Sequence, residues 1–117
     1  MNTNANTVKL RVHIAPVGFE IDRIIVPAIN MRADKVWLIG HSNLSEDKAR
    51  PFLDKIRKTL AKKNIQVKEV VANRFRLFDI VKTVKEIIFE EQNNDVYLNV
   101  ASGSKIHAVG MMMATMI

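Results

Sequence analysis

The sequence predicts an α/β domain, a Rossmann-like three-layer sandwich with a mainly parallel sheet and helices on both faces. Short apolar segments alternate four times with patterns of helical period, and alternation of this kind implies a parallel sheet. The run Val36–Ile39 is continuously apolar, as is typical of a strand covered on both faces. The chain of 117 residues is long enough for one domain, and its hydrophobic fraction of 48% supports a packed core.

In the first half of the chain, two strands and two helices are expected. Alternating apolar residues over 8–14 predict the first strand, and the cluster 15–18 predicts the turn that ends it. Helical spacing over 21–29 predicts the first helix. Pro27 lies inside this pattern, so it should either kink the helix or mark its true start. After the second strand and a turn at 40–43, Ser45 is a candidate N-cap for a helix that Lys48 opens.

This second helix carries the densest cluster of basic residues and closes at Asn64, with an inner stripe of Phe52, Ile56 and Leu60. The third strand is predicted over 65–71, and the loop 73–76 leads from it into the third helix. That helix is predicted from Asp79 to Glu91, with an inward stripe of Ile80, Val84, Ile87 and Ile88.

The fourth strand, over 96–100, is followed by a turn of small residues at 101–104 and a helix that starts at Lys105. From 111 to 117 this last helix is apolar nearly all round, which predicts burial. It is either an ordinary core helix, or a helix that packs against a second subunit or a further domain.

Composition restricts the compartment and the partners. Cysteine is absent, which excludes disulfides and thiolate-ligated metals and fits a reducing, cytoplasmic compartment. No apolar run is long enough to span a bilayer, and residues 1–7 are expected to form a disordered tail without signal-peptide features. The net charge of +6 favours acidic partners. Direct nucleic-acid binding would need exposed aromatic residues among the basic ones, and the chain has only seven aromatic residues.

The turn at 101–104 is the predicted anion site. Its small residues allow a ligand to approach the backbone, the first helical N–H groups lack partners, and Lys105 adds a positive charge. The turn matches neither a Walker A loop nor a dinucleotide fingerprint, and an ordinary strand-to-helix turn stays the alternative. The doubly wound strand order 3-2-1-4 reverses between strands 1 and 4, so the loops 15–20 and 99–105 should meet where ligands bind such sheets.

Candidate ligand-binding residues therefore come from these two loops: Pro16, Val17, Gly18, Glu20, Asn99, Ala101, Ser102, Gly103, Ser104 and Lys105. Three further candidates follow strand ends, and a structural role is the alternative for each: His13, His41 and Arg74. The three histidines lack the short spacing of metal ligands, so neither a metal nor a cofactor is predicted. No base lies beside Ser102 or Ser104 in the sequence, and no catalytic residue is predicted.

Two blocks of the chain, HIAPVGFEIDRIIVPAI at 13–29 and NVASGSKIHAVGMMMA at 99–114, resemble a known family. They are similar to the N-terminal domain of archaeal winged-helix regulators of the CARF class, the CRISPR-associated Rossmann fold. The best-known members carry Asn-x-Thr/Ser-Gly-Gly-Thr-Lys after strand 4. Asn99, Ser102, Gly103, Ser104 and Lys105 look like that motif, but the second glycine is missing.

The resemblance implies that residues 8–117 form a Rossmann-like homodimer that binds a cyclic oligoadenylate, often the tetramer, at adjoining crevices. It also implies a C-terminal winged-helix effector that binds DNA and that these 117 residues do not contain. Some relatives slowly cleave their cyclic ligand, so a ring nuclease is an alternative function. A nucleotide- or dinucleotide-binding module is another alternative, although the first turn offers only Gly18.

Overall fold

The computed structural model of the protein describes residues 8–117, and the tail predicted at 1–7 lies outside this range. The strands are β1 (Arg11–Pro16), β2 (Lys35–His41), β3 (Gln66–Ala72) and β4 (Asp95–Leu98). The helices are α1 (Asp22–Asn30), α2 (Arg50–Lys62), α3 (Leu77–Glu90) and α4 (Lys105–Met116). All strand pairs are parallel and the order is β3-β2-β1-β4, which confirms the predicted fold class and topology.

The helices form two layers, one on each face of the sheet. The core under α1 and α2 contains Ala15 and Leu38 from the central strands, and the core under α3 and α4 contains Ile14 and Ile39. Successive residues of a strand point to opposite faces, so a strand with helices on both sides must be apolar throughout. This accounts for the unbroken apolar run in β2.

The first predicted turn is wrong at its start, because β1 continues through Ala15 and Pro16. Both residues are buried. Pro16 is the last residue of the strand and lies beyond the last pair of β1 with β4, Ile14 with Leu98, so its missing N–H removes no bond to β4. The amide N–H of Val17 donates to the carbonyl of Ile39 at 3.0 Å. The loop that leaves β1 therefore begins at Gly18, which is later in the chain than the predicted start of the turn at Ala15.

The predicted N-cap at Ser45 is also wrong. Asn43 Oδ1 accepts the N–H of Ser45 at 3.1 Å and caps a short 3₁₀ helix, Leu44–Glu46. The helix α2 begins only at Arg50, with Pro51 in its first turn, so Lys48 precedes it. An asparagine side chain that bonds the backbone two residues on favours a turn of this kind over the start of a long helix.

The last helix is buried on one face only. His107, Gly110, Met111 and Ala114 pack inward, and a Cβ on Gly110 would come within 2.7 Å of Ile80 in α3. The opposite face exposes four apolar side chains to solvent: Ile106, Val109, Met112 and Met116. Packing in the core therefore accounts for the inward face of the helix and not for the apolar side chains on its outer face. No helix in the described range is long and apolar enough to cross a bilayer.

Candidate functional site

The loops after β1 and β4 meet at the carboxyl edge of the sheet, as the strand order predicts. The chain leaves β1 towards the face that carries α1 and leaves β4 towards the face that carries α4. A crevice opens where neighbouring parallel strands diverge in this way. A Cβ built on Gly18 would lie 3.4 Å from the Cα of Gly103, so the two loops are in direct contact.

Gly103 is held in a conformation that only glycine adopts easily. Its φ is +73°, in the left-handed region, and a Cβ there would lie 2.7 Å from His107 Nδ1 and 2.8 Å from the ring of Pro16. The residue is nevertheless exposed towards the crevice. Its exposed backbone is therefore free to meet a ligand from the side opposite Pro16.

Asn99 fixes the turn through both ends of its side chain. Its Oδ1 accepts the N–H groups of Ala101 at 3.0 Å and Ser102 at 3.1 Å. Its Nδ2 donates to the backbone carbonyl of Arg23 at 2.8 Å, and the Arg23 guanidinium donates back to the carbonyl of Ala101 at 3.2 Å. The turn after β4 is thus tied to the first turn of α1.

Pro27 explains why the carbonyl of Arg23 is available. α1 runs through Pro27 from Asp22 to Asn30, so the proline does not mark the start of the helix. Proline has no N–H, and the carbonyl four residues earlier loses its usual helical partner. That carbonyl belongs to Arg23, and Asn99 satisfies it. A residue that the sequence presents as a helix defect therefore provides the attachment point for the turn after β4.

The first turn of α4 is capped by an unusual pair. Ser104 Oγ accepts the N–H of His107 at 3.4 Å, and His107 Nδ1 accepts the N–H of Ser104 at 3.0 Å. This is a capping box in which imidazole replaces the usual Glu or Gln. Within residues 8–117 the N–H groups of Lys105 and Ile106 keep no partner. The positive end of the helix therefore stays open to an anion.

The imidazole of His107 is kept neutral by its surroundings. Burial, followed by the neighbouring charges of Arg74 and His41, lowers the pKa of His107 to about 4 from 6.5. Neutral imidazole offers Nδ1 as an acceptor, which the capping bond with Ser104 requires.

A small cavity of about 160 Å³ lies between these elements. Its lining comprises Gly18, Phe19, Glu20, Arg23, Arg74, Ala101, Ser102 and Gly103. Glu20 forms an ion pair with Arg23, whereas Arg74 has no carboxylate partner in the described range. Two guanidinium groups against one carboxylate make the cavity net positive.

Ser102 adds a polar group that the protein leaves unsatisfied. The residue is 3% exposed, and its Oγ has no hydrogen-bond partner among residues 8–117. Buried hydroxyls normally have a partner, because desolvation without one costs about 1–3 kcal/mol. The Ser102 hydroxyl lines a positively charged cavity, and an oxygen atom of a bound ligand would supply its missing hydrogen-bond partner.

The other predicted residues lie around this cavity. Pro16 and Val17 are buried and do not line it, although the ring of Pro16 packs behind Gly103, and Asn99 bonds the backbone of Ala101 and Ser102 in its wall. Lys105 is exposed at the start of α4 and does not line the cavity. His13 lies under a separate cavity of about 430 Å³ beside β4, which Asn99 and Ala101 also line. Burial lowers the pKa of His13, and its ring lies 5.5 Å from that of Tyr97.

His41 stays outside the cavity but positions a residue that lines it. It is buried at the end of β2, and its Nδ1 accepts the N–H of Arg74 at 3.2 Å. Its ring meets Phe75 edge to face at 5.4 Å. His41 therefore supports the loop that directs Arg74 towards the turn after β4, which is a role in positioning and not in direct contact.

Two of the lining residues, Phe19 and Arg23, were not predicted from the sequence. Their position in the chain could have identified them, because they lie in the loop and first helical turn that follow β1, at the predicted reversal of strand order. Phe19 is 53% exposed, and its ring meets Phe52 of α2 edge to face at 5.7 Å.

Comparisons with known proteins identify relatives of this chain. The family described as HFX_2341_N:-like, N-terminal, matches residues 11–117. Uncharacterized protein MJ1513 of Methanocaldococcus jannaschii is 37% identical over 122 residues, which cover 100% of this chain and 36% of that protein. The chain therefore spans about a third of the length of this curated relative.

Three solved structures share the fold. Can2 of Sulfobacillus thermosulfidooxidans, in complex with cyclic tetra-adenylate, has a TM-score of 0.75 at 18% identity and covers 91% of this chain and 29% of its own. A type III CRISPR defence DNA nuclease activated by cyclic oligoadenylate has a TM-score of 0.76 at 15% identity, with coverages of 92% and 17%. Protein VC1899 of Vibrio cholerae has a TM-score of 0.74 at 13% identity, with coverages of 91% and 28%.

Proposed function

The chain belongs to the family described as HFX_2341_N:-like, N-terminal, and on this basis we propose that it is a CARF-type sensor of a cyclic oligoadenylate second messenger. The ligand binds in the crevice between the loops after β1 and β4. The observation that carries the proposal is the exposed backbone at Gly103, beside the buried, unsatisfied hydroxyl of Ser102. Such a surface suits a ribose-phosphate backbone that lies against it.

The charge of the crevice supports an anionic ligand. Arg74 provides a cation without a carboxylate partner, and Lys105 stands at the open, positive end of α4. The cavity of about 160 Å³ is too small for a whole cyclic tetranucleotide, so one chain contacts only part of the ring. Two of the solved proteins that share the fold are described with cyclic tetra-adenylate or cyclic oligoadenylate, which favours this ligand class.

The rest of the ring is contacted by a second copy of the chain in a homodimer. Val109 and Met112 are exposed on the outer face of α4, and Tyr97 and Val100 are exposed in and just after β4, which is an edge strand of the sheet. Association through an apolar face next to the crevice brings two crevices together around one two-fold axis. A cyclic ligand on that axis meets two copies of Gly103 and Lys105.

The binding domain serves a larger regulator in this proposal. The relative MJ1513 is almost three times as long as the matched segment, since that segment covers 36% of it. We assign residues 8–117 to ligand sensing in a CRISPR-associated or related archaeal transcription regulator of the cytoplasm. Its DNA contacts belong to a winged-helix domain outside these residues.

Binding of a labelled ligand panel tests the proposal. Cyclic tetra-adenylate and cyclic hexa-adenylate should bind in the micromolar range or tighter, and linear tetra-adenylate and NAD should bind at least tenfold more weakly. Preference for NAD would favour the dinucleotide-binding alternative and contradict the proposal. Chromatography of the same mixtures tests the ring nuclease, which predicts a linear product in the wild type.

A further inference from the structure

Two phenylalanines and two lysines share the outer face of α3, where all four are exposed to solvent. Phe78, Lys82, Lys85 and Phe89 follow one another at spacings of four, three and four residues, which puts them on one face of the helix. Phe78 is 75% exposed and Phe89 71% exposed. Phe75 and Arg76 extend the same surface just before the helix, and these six residues are here called the α3 stripe.

The positive charges of the α3 stripe are available to a partner. Arg76, Lys82 and Lys85 form no ion pair among residues 8–117. Of the nearby acids, Asp79 accepts the N–H of Asn73 at 2.6 Å and Glu90 pairs with Lys68. Asp79 and Glu86 keep their negative charges, so the three cations of the α3 stripe outnumber these two carboxylates and the surface keeps a net positive charge.

A concavity also lies beside the α3 stripe. An open cavity of about 620 Å³ is lined by Arg76, Phe78 and Lys82, by the carboxylate of Asp79, and by Ser42, which follows β2. The cavity thus combines an exposed ring, two cations, one carboxylate and a hydroxyl, and its net charge is positive. A planar base can stack on the ring while the attached phosphate meets a cation.

We propose that the α3 stripe binds single-stranded nucleic acid. Bases stack on Phe78 and Phe89, which lie about 16 Å apart along the helix axis, and phosphates contact Arg76, Lys82 and Lys85. This reverses the expectation that too few aromatic residues are exposed: Phe19, Phe75, Phe78 and Phe89 are all more than half exposed. The proposal does not depend on the function proposed for the crevice.

Other occupants fit this surface less well. A helix that lies on a membrane carries a continuous apolar face, whereas here two lysines separate the two phenylalanines on the same face. A second copy of the chain would bring like charges together, because every copy carries the same three cations. Single-stranded nucleic acid supplies rings and negative charges alternately.

Fluorescence anisotropy with a labelled 20-nucleotide oligodeoxythymidine tests this on the full chain, at 50 and 200 mM salt. The double variants Lys82→Ala/Lys85→Ala and Phe78→Ala/Phe89→Ala should each bind at least tenfold more weakly than wild type. The matched control, Lys58→Ala/Lys62→Ala, removes the same charge from exposed positions of α2 and should lose less than threefold. The lysine variant should also reduce the salt slope by about 1.4.

Several outcomes would overturn the proposal. These are absence of wild-type binding at 50 mM salt, an equal loss in the α2 control, and wild-type affinity in the phenylalanine variant. A tenfold loss of oligonucleotide affinity in Lys105→Ala would show that the nucleic acid binds at the crevice and not at the α3 stripe. Co-sedimentation with phosphatidylserine vesicles in the absence of oligonucleotide binding would assign the α3 stripe to a membrane instead.

Discussion

The side-chain Nδ2 of Asn99 donates a hydrogen bond to the backbone carbonyl of Arg23 at 2.8 Å. Asn99 lies just after β4 and Arg23 lies in the first turn of α1, so this bond joins the two loops that form the crevice. The carbonyl is free because Pro27 cannot donate to it. The geometry of the proposed ligand site therefore depends on an asparagine and a proline, neither of which needs to touch the ligand.

Substitution of Asn99 tests this dependence. Asn99→Ala should lower the free energy of unfolding by about 1–3 kcal/mol, because it leaves the Arg23 carbonyl and two amide N–H groups without their partner. Asn99→Asp is the matched control for the acceptor bonds: it keeps the bonds to Ala101 and Ser102, but it replaces the donor to Arg23 with an oxygen that repels the Arg23 carbonyl. Urea denaturation should therefore show that both variants are less stable than wild type. Equal stability of all three would contradict the account.

Gly103 should be the least replaceable residue of the crevice. Alanine there is strained at a φ of +73°, and its Cβ would collide with His107 and Pro16. We expect Gly103→Ala to cost at least about 2 kcal/mol. Gly18→Ala is the control on the facing loop, where the added Cβ meets Gly103 at an ordinary 3.4 Å and should cost less than about 1 kcal/mol. Thermal unfolding measures both, and a neutral Gly103→Ala would disprove the packing argument.

The topology of the fold and the position of the crevice could be predicted from the sequence because both depend on regular patterns. Apolar runs marked the strands, and their alternation with helical periods defined the parallel order that places the loops at 15–20 and 99–105 together. The exact ends of β1 and α2 could not be predicted, because the burial of Pro16 and the Asn43 turn depend on neighbours distant in sequence or on one local side-chain bond.

The bond between Asn99 and Arg23 was equally hidden, because it joins residues 76 positions apart. A pattern can show that Pro27 removes a donor, but not which side chain replaces it. The same limit applies to α4. Its sequence shows that the helix is apolar, but which face packs inward depends on the fit of Gly110 against Ile80. These features depend on contacts between elements and not on the sequence of any single element.

Acid should weaken the fold through His107. Because its folded-state pKa of about 4 lies below the unfolded value of 6.5, the unfolded chain binds the proton first. The contribution of neutral His107 to the free energy of unfolding is fully present above pH 6.5. It is lost as pH falls towards 4, by up to about 3 kcal/mol. His107→Gln keeps a capping acceptor but cannot titrate. Its stability should therefore change less between pH 6.5 and 4 in urea titrations.

Part of the dependence of the free energy of unfolding on pH should remain in His107→Gln, because burial also lowers the pKa of His13. The double variant His13→Gln/His107→Gln should show a smaller dependence on pH than His107→Gln. Identical slopes for wild type and His107→Gln would show that the capping imidazole does not titrate differently in the two states, and would contradict the assignment.

The outer face of α4 should hold the proposed dimer together. Val109→Asp/Met112→Asp places two charges at exposed positions, so the fold of the single chain should be unaffected while association is lost. Light scattering should give twice the chain mass of 13.3 kDa for wild type and the single mass for the variant. Leu44→Asp, at a residue that is 70% exposed on the 3₁₀ helix, is the control and should stay dimeric. A monomeric wild type would contradict the dimer.

Isothermal titration of cyclic tetra-adenylate into wild type, Lys105→Ala and the charge-matched control Lys58→Ala tests the proposed ligand site most directly. The account predicts one ligand per two chains for wild type and for Lys58→Ala. It predicts binding at least tenfold weaker for Lys105→Ala, because the ring loses one ammonium group from each helix terminus. No heat with wild type, or the same affinity for Lys105→Ala as for wild type, would contradict it.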